Sequence, residues 1–226
     1  MLRVLIKSDG NDYLQVLNKT LLPTAYLAPI QYYSILLQSE QCIIDIHENF
    51  VKQTIRNRCY LYSSNGKIFI TIPRVRKKSS KTKTKDIKIS YRENWQKIHW
   101  NTIISAYNSS PFFKYYKEDL EKIFFKREKY LLDFNNNLTE LILSFISEKK
   151  HYTFSNKYDK KIKVNDFRNS DFHLNFQQNY QQVFMEKFGF IANMSIIDLL
   201  FNVGPESKNY LFLIDLNCKI KNKINN

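Results

Sequence analysis

A mixed α/β fold, with a small sheet around a central β-hairpin followed by a mainly helical C-terminal half, is predicted by three features of this sequence. The run RCYLYSSNGKIFITIP sets two alternating β-rich stretches either side of Asn65-Gly66, a pair that readily takes φ > 0 and closes a tight turn. Upstream, QCIIDI is an apolar run of the length expected for a buried strand. Downstream, NWQKIHWNTIISAY carries Trp95, Ile98, Trp100, Ile103, Ile104 and Tyr107 at helical spacing.

Taken in order, residues 1–19 read as an N-terminal extension and residues 20–212 as one domain, followed by a basic polar tail over 213–226. Leu21 to Tyr26 reads as a short strand. Pro29 opens a helix, IQYYSILLQSE, because proline suits the first helical turn. After QCIIDI and the hairpin comes RVRKKSSKTKTKDIKIS. Between Arg74 and Lys88 this segment has eight Lys or Arg and one acid, and it reads as a solvated loop ending in a strand, DIKIS. Ser110-Pro111 closes the Trp95 helix and opens another, PFFKYYKEDLEKIFF. A third helix is expected from Asn135 to Glu148. The pattern weakens over 149–180, where a strand or two would fit. Two short helical segments then flank Gly189, ahead of a turn at Gly204-Pro205.

Composition narrows the function classes. The chain has 226 residues, is 43% hydrophobic and 15% aromatic, and contains only 4 Gly and 5 Pro, which suits a packed domain. No stretch of eighteen apolar residues exists to cross a membrane. The first residues have no signal-peptide pattern, so a cytoplasmic location is expected. Cys42, Cys59 and Cys218 are too widely spaced for a disulfide framework or a zinc site. The 4 histidines fall in no metal-binding spacing, and no metal is expected. Gly-rich phosphate loops and a GxSxG elbow are missing. The net charge of +14 has two explanations. One is an anionic partner, nucleic acid included. The other is an AT-rich coding bias, which favours Lys, Asn, Ile, Phe and Tyr.

Chemistry-bearing residues concentrate in HENFVKQTIRNRC, residues 47–59. If the chain is extended from Ile55, Arg56, Arg58 and Tyr60 share one face, with the two arginines about 7 Å apart. Two guanidinium forks at that spacing clamp a phosphate or carboxylate, with Lys52 as a further point charge. His47 beside Glu48 sits at a strand end and is a candidate base. His99, among the aromatic residues of its helix, is either a base or a satisfied buried group. Cys59 alternates onto the inward face and is set aside as a nucleophile. The 74–88 loop carries charge for a nucleic-acid backbone but lacks the interleaved aromatic residues of single-strand binders.

In sequence order, LLPTAYLAPIQYYSILL, ENFVKQTIRNRC, SSNGKIFITIP, DIKISYRENWQKIHWNTIISAYNSSPFF and GFIANMSIIDLLFNVGP resemble the WbqC-like protein family, in its Bacteroidetes-type form. Matching positions are Pro23, Tyr26 and Pro29, then Lys52, Gln53, Arg56, Asn57 and Arg58, then Pro73, Asp86, Tyr91, Trp95, His99, Tyr107 and Pro111. The resemblance implies a part in O-antigen and related surface-glycan biosynthesis. An acyl- or aminoacyl-type transferase would use His99, His47 or Glu48 for proton transfer. Lys52, Gln53, Arg56, Asn57, Arg58, Asp86, Tyr91 and Trp95 would bind an anionic substrate, a nucleotide sugar or acyl donor. The alternatives are a non-catalytic partner in an envelope-synthesis complex and a nucleic-acid-binding module. The sequence does not name a cofactor, and which one such a transferase would use is unknown.

Overall fold

A computed structural model describes residues 17–76, 81–149, 152–160, 164–172 and 178–216. Residues 1–16 of the extension expected over 1–19, residues 77–80 of the basic loop and residues 217–226 of the tail expected over 213–226 lie outside the described residues.

Strand β1 (Leu17–Pro23) leads through helix α1 (Ile30–Gln38) to strand β2 (Ser39–Asp45), which pairs with β1 in parallel from Leu17↔Ser39 to Pro23↔Asp45. Parallel neighbours need a crossover, and α1 provides it, with Pro29 at φ −59 leading into the first turn. Ile30 to Leu36 of α1 are all buried, which fits an apolar surface all round rather than a single stripe. The far side of α1 is covered by helix α7 (Ser207–Leu213). There the Ser34 hydroxyl donates to Leu211 O at 2.7 Å and Gln38 Nε2 donates to the same oxygen at 2.9 Å.

Two short late strands complete the sheet. β5 (Tyr152–Phe154) pairs in parallel with β2, and β6 (Asn165–Asp166) pairs in parallel with β1. The resulting order is β5-β2-β1-β6. Numbered by their sequence within this sheet, the four strands run 3-2-1-4, matching the first four positions of the doubly wound order 3-2-1-4-5-6.

The hairpin forms where expected, from β3 (Arg58–Ser63) and β4 (Gly66–Thr71), with Gly66 at φ +82. The mixed α/β class therefore holds. What needs correction is the place of the hairpin: it forms a separate two-stranded sheet. Its inward residues, Cys59, Leu61 and Ile70, face the core, where helix α2 (Trp95–Tyr107) lies behind it and the Tyr107 hydroxyl accepts from Tyr62 N at 3.1 Å. DIKIS also departs from expectation and makes no strand. Thr84 N and Lys85 N donate to Glu48 O and Ile46 O, pulling a 3-10 turn (Thr84–Asp86) onto the loop after β2. Beyond it, Ile89 and Lys88 bridge singly to different partners, Arg74 and Tyr130.

Helices α3 (Phe113–Phe125) and α4 (Leu131–Phe145) follow α2, with α4 starting four residues before the expected Asn135. α5 (Met185–Phe188) and α6 (Ile196–Val203) are the two segments around Gly189. Interlocked rings fill the core between the helices: Tyr107 and Phe113 each meet Phe201 edge-on, at 5.3 and 5.1 Å, and Phe124 meets Phe134 at 6.0 Å. Such edge-on pairs are a favoured way to pack aromatic rings in a core.

Candidate functional site at the carboxyl edge of the parallel sheet

Parallel strands deliver their C-terminal residues to one edge, and that edge carries most of the charge the fold buries. β2 ends at Asp45 and β6 at Asp166, with Arg168 two residues later. Arg168 donates to both: Nη1 to Asp45 Oδ2 at 2.8 Å, Nη2 to Asp166 Oδ2 at 2.6 Å and Nε to Asp166 Oδ1 at 3.0 Å. The free oxygen of Asp45 accepts from the Ser155 hydroxyl at 2.8 Å and from His47 N at 2.9 Å. Burial works to raise the Asp166 carboxyl, but the fork from Arg168 outweighs it and holds the group below the usual carboxylate range.

A second buried pair abuts the first. Arg56 Nε and Nη2 reach Glu48 Oε1 and Oε2 at 2.7 and 2.6 Å, and Nη2 also donates to Arg168 O at 2.9 Å. The two residues are 3% and 5% exposed. Burial pushes the Glu48 carboxyl up while Arg56 pulls it down. From Glu48 to Asp166 the network runs through two arginines and three carboxylates, each held by charge-assisted bonds.

The two-arginine clamp does not form. Strand β3 begins at Arg58, because the residues before it are wound into a turn. Asn57 makes that turn, accepting from Gln53 N at 3.1 Å and donating to Ile72 O at 3.1 Å, while Gln53 takes φ +59. Arg56 therefore turns inward to Glu48, and Arg58 lies on the outer face of the hairpin. There its Nε donates to Thr71 Oγ1 at 3.1 Å and its guanidinium stacks on Phe69 at 4.1 Å. Beside Arg58 is a small crevice of about 10 Å³ bounded by Leu27, Pro29, Ile55, Tyr60 and Ser195. That is room for about one water molecule, so it is not a ligand pocket.

The remaining expected residues divide. His47, Lys52 and Gln53 lie on the loop after β2, at the carboxyl edge, and Asp86 is on the 3-10 turn bonded to that loop. Tyr91, Trp95 and His99 sit elsewhere. Tyr91 is half-buried, with its hydroxyl on Glu128 O at 2.8 Å. Trp95 is 3% exposed and packed edge-on against Phe134 at 5.5 Å and His99 at 5.0 Å, leaving no ring face for a ligand. His99 Nδ1 is 2.9 Å from the Tyr26 hydroxyl, and the ring also bonds the Thr71 backbone. Burial lowers it to about 4, so it is neutral at pH 7. Cys59 is buried, and burial pushes its thiol up, as expected for an inert core residue.

Sequence reasoning missed Asp45, Ser155, Tyr158, Asp166 and Arg168. Tyr158 is 47% exposed, with Arg168 Cζ at 5.1 Å and Lys83 Nζ at 5.3 Å from its ring centre. The only local hint was the acid-x-Arg spacing in NDFRNS. It also missed Asn135, which ties β1 to the turn by donating to Thr24 Oγ1 at 3.2 Å and to Arg56 O at 2.9 Å.

The first helical amides after β1 are not open to a phosphate. Ile30 N and Gln31 N are taken by Met194 O and Asn193 Oδ1. The family model described as the WbqC-like protein family matches residues 24–163 and 146–210, spanning the sheet edge and its charged network. The chain belongs to the WbqC-like protein family. No curated protein and no solved structure matches it. In this WbqC-like chain, no described helix is long and apolar enough to cross a membrane, and among the described residues no group of His, Cys, Asp and Glu is placed to hold a metal ion.

Proposed function

We propose that this protein acts in surface-glycan biosynthesis as a transferase on an anionic, nucleotide-linked sugar bound at the carboxyl edge of the parallel sheet. The observation that carries the reading is the 3-2-1-4 strand order with a built charge network at its carboxyl end, since open α/β sheets bind ligands in the crevice at that edge. Lys52 and Lys83 would meet the phosphates, and the exposed Tyr158 ring would stack on the base or sugar. The two buried ion pairs would hold the loop after β2 in place rather than touch substrate. His47 is the candidate base, because it lies at this edge while His99 is enclosed. Calorimetric titration with a panel of nucleotide sugars tests the site. Lys52→Ala and Tyr158→Ala should each weaken binding about tenfold without moving the melting temperature. If neither does, and Arg58→Ala abolishes binding, the ligand sits at the hairpin and this reading fails.

A second reading, a non-catalytic partner in envelope synthesis, is favoured by one observation. Two of the three residues expected to move protons are tied in place, Glu48 to Arg56 and His99 to Tyr26. His47→Ala separates the two readings. Under the first, sugar binding persists and transfer falls by about 100-fold or more; under the second, the variant is indistinguishable from wild type in cells.

A further inference from the structure

We propose that the outer face of the β3–β4 hairpin binds single-stranded nucleic acid, independently of the sheet-edge site. Strand alternation turns Cys59, Leu61 and Ile70 to the core and Arg58, Tyr60, Lys67 and Phe69 to solvent. Tyr60 and Phe69 are directly opposite across the ladder, with ring centres 6.2 Å apart. Each carries a cation over its ring: Arg58 Cζ lies 4.1 Å from the Phe69 centre, and Lys67 Nζ lies 4.6 Å from that of Tyr60. The row continues past Tyr62 to Phe188, 6.3 Å away, over which Lys187 Nζ sits at 4.8 Å.

Packing does not require these side chains to be aromatic. Phe69 is 55% exposed, Tyr60 36% and Phe188 42%, with the buried Tyr62 ring between Phe188 and the other two, and exposed rings flanked by cations mark a binding surface. The cations say what it binds. Thr71 fixes Arg58 through Nε, and its two terminal nitrogens meet no acceptor among the described residues. A ligand for this row must offer flat faces and repeated negative charge. A single-stranded polynucleotide does both: its bases stack on rings without sequence preference, and its phosphates meet Arg58, Lys67 and Lys187. A duplex hides its bases and offers only the charge. The described part of the basic loop, by contrast, presents Arg76, Lys81 and Lys85 to solvent without such a row of rings.

Fluorescence anisotropy with a labelled twelve-residue oligothymidylate, in a salt series, tests this on the full chain. Three cations predict a slope of log affinity on log salt of about −2. Phe69→Ala and Tyr60→Ala should each weaken binding about tenfold. Both side chains are exposed, so the melting temperature should hold and folding is not in question. Absence of binding at low salt overturns the proposal, as does binding indifferent to both ring deletions. Equal affinity for a twelve-base-pair duplex means charge alone and also overturns it. Ring-dependent binding of an acidic oligosaccharide such as a heparin fragment, tighter than that of the oligonucleotide, would reassign the face to a glycan.

Discussion

Two buried titratable residues set opposite pH dependences in the same core. Asp198, fully enclosed on α6, accepts from the Tyr180 hydroxyl and from Gln182 Nε2 at 2.8 Å, with the Tyr107 hydroxyl alongside. Burial raises its carboxyl from 3.8 to about 6 against the pull of those donors. The folded chain thus holds this proton more tightly than the unfolded one. Its contribution is full below pH 3.8 and is lost as pH rises through about 6. His99 has the reverse sign: lowered from 6.5 to about 4, it contributes fully above pH 6.5 and loses that as pH falls through about 4. Each effect is on the order of 3 kcal/mol at its limit. In urea titrations between pH 4 and 7, Asp198→Asn should remove the alkaline loss and expose the acid one, and His99→Gln should do the opposite. The Glu48–Arg56 pair gives a further expectation. Arg56→Ala alone strands a buried carboxylate and should cost about 3–5 kcal/mol, whereas Arg56→Met with Glu48→Gln should recover part of it. A double-mutant cycle on the unfolding free energy reads the coupling.

At the scale of elements, two glycines do different work. Gly66 has φ +82 with open space around it, whereas Gly204, at φ +68, has the Phe112 ring 2.6 Å from where a Cβ would sit. Gly66→Ala should cost about 1 kcal/mol of backbone strain. Gly204→Ala adds a collision at the junction of α6 and α7 and should cost about 3 kcal/mol or more, readable in the same denaturation experiment. The elements that were legible in advance are those whose signal is local. Pro29 and the apolar run behind it mark α1, and alternation around Asn65-Gly66 marks the hairpin. β6 was not legible, being two residues whose strand character comes from Thr20 and Leu21. The anion clamp failed for a related reason. Whether Arg56 continues a strand or turns inward is decided by the Asn57 side chain reaching Ile72 O, and by Glu48 on another segment. The tie from Arg168 to β2 was invisible because its partner there, Asp45, is 123 residues away.

Over the whole molecule, the charge network ties β2, the loop behind it and β6 into one edge. Arg168→Ala should release β6 before anything else, and hydrogen exchange would show protection lost first at Phe167, whose amide bonds Leu21 O. β1, the strand at the centre of this sheet, waits for the chain to be nearly finished. Its second neighbour pairs Leu21 with Asp166, so at ribosomal rates of about 5–20 residues per second that edge stays open for roughly 7–30 s after β1 emerges. During synthesis an unpaired, apolar strand edge is on offer to any other nascent chain. The protein should therefore depend on chaperone shielding in the cell more than its size suggests, and refolding from denaturant should fail through aggregation at high concentration before it fails through slowness.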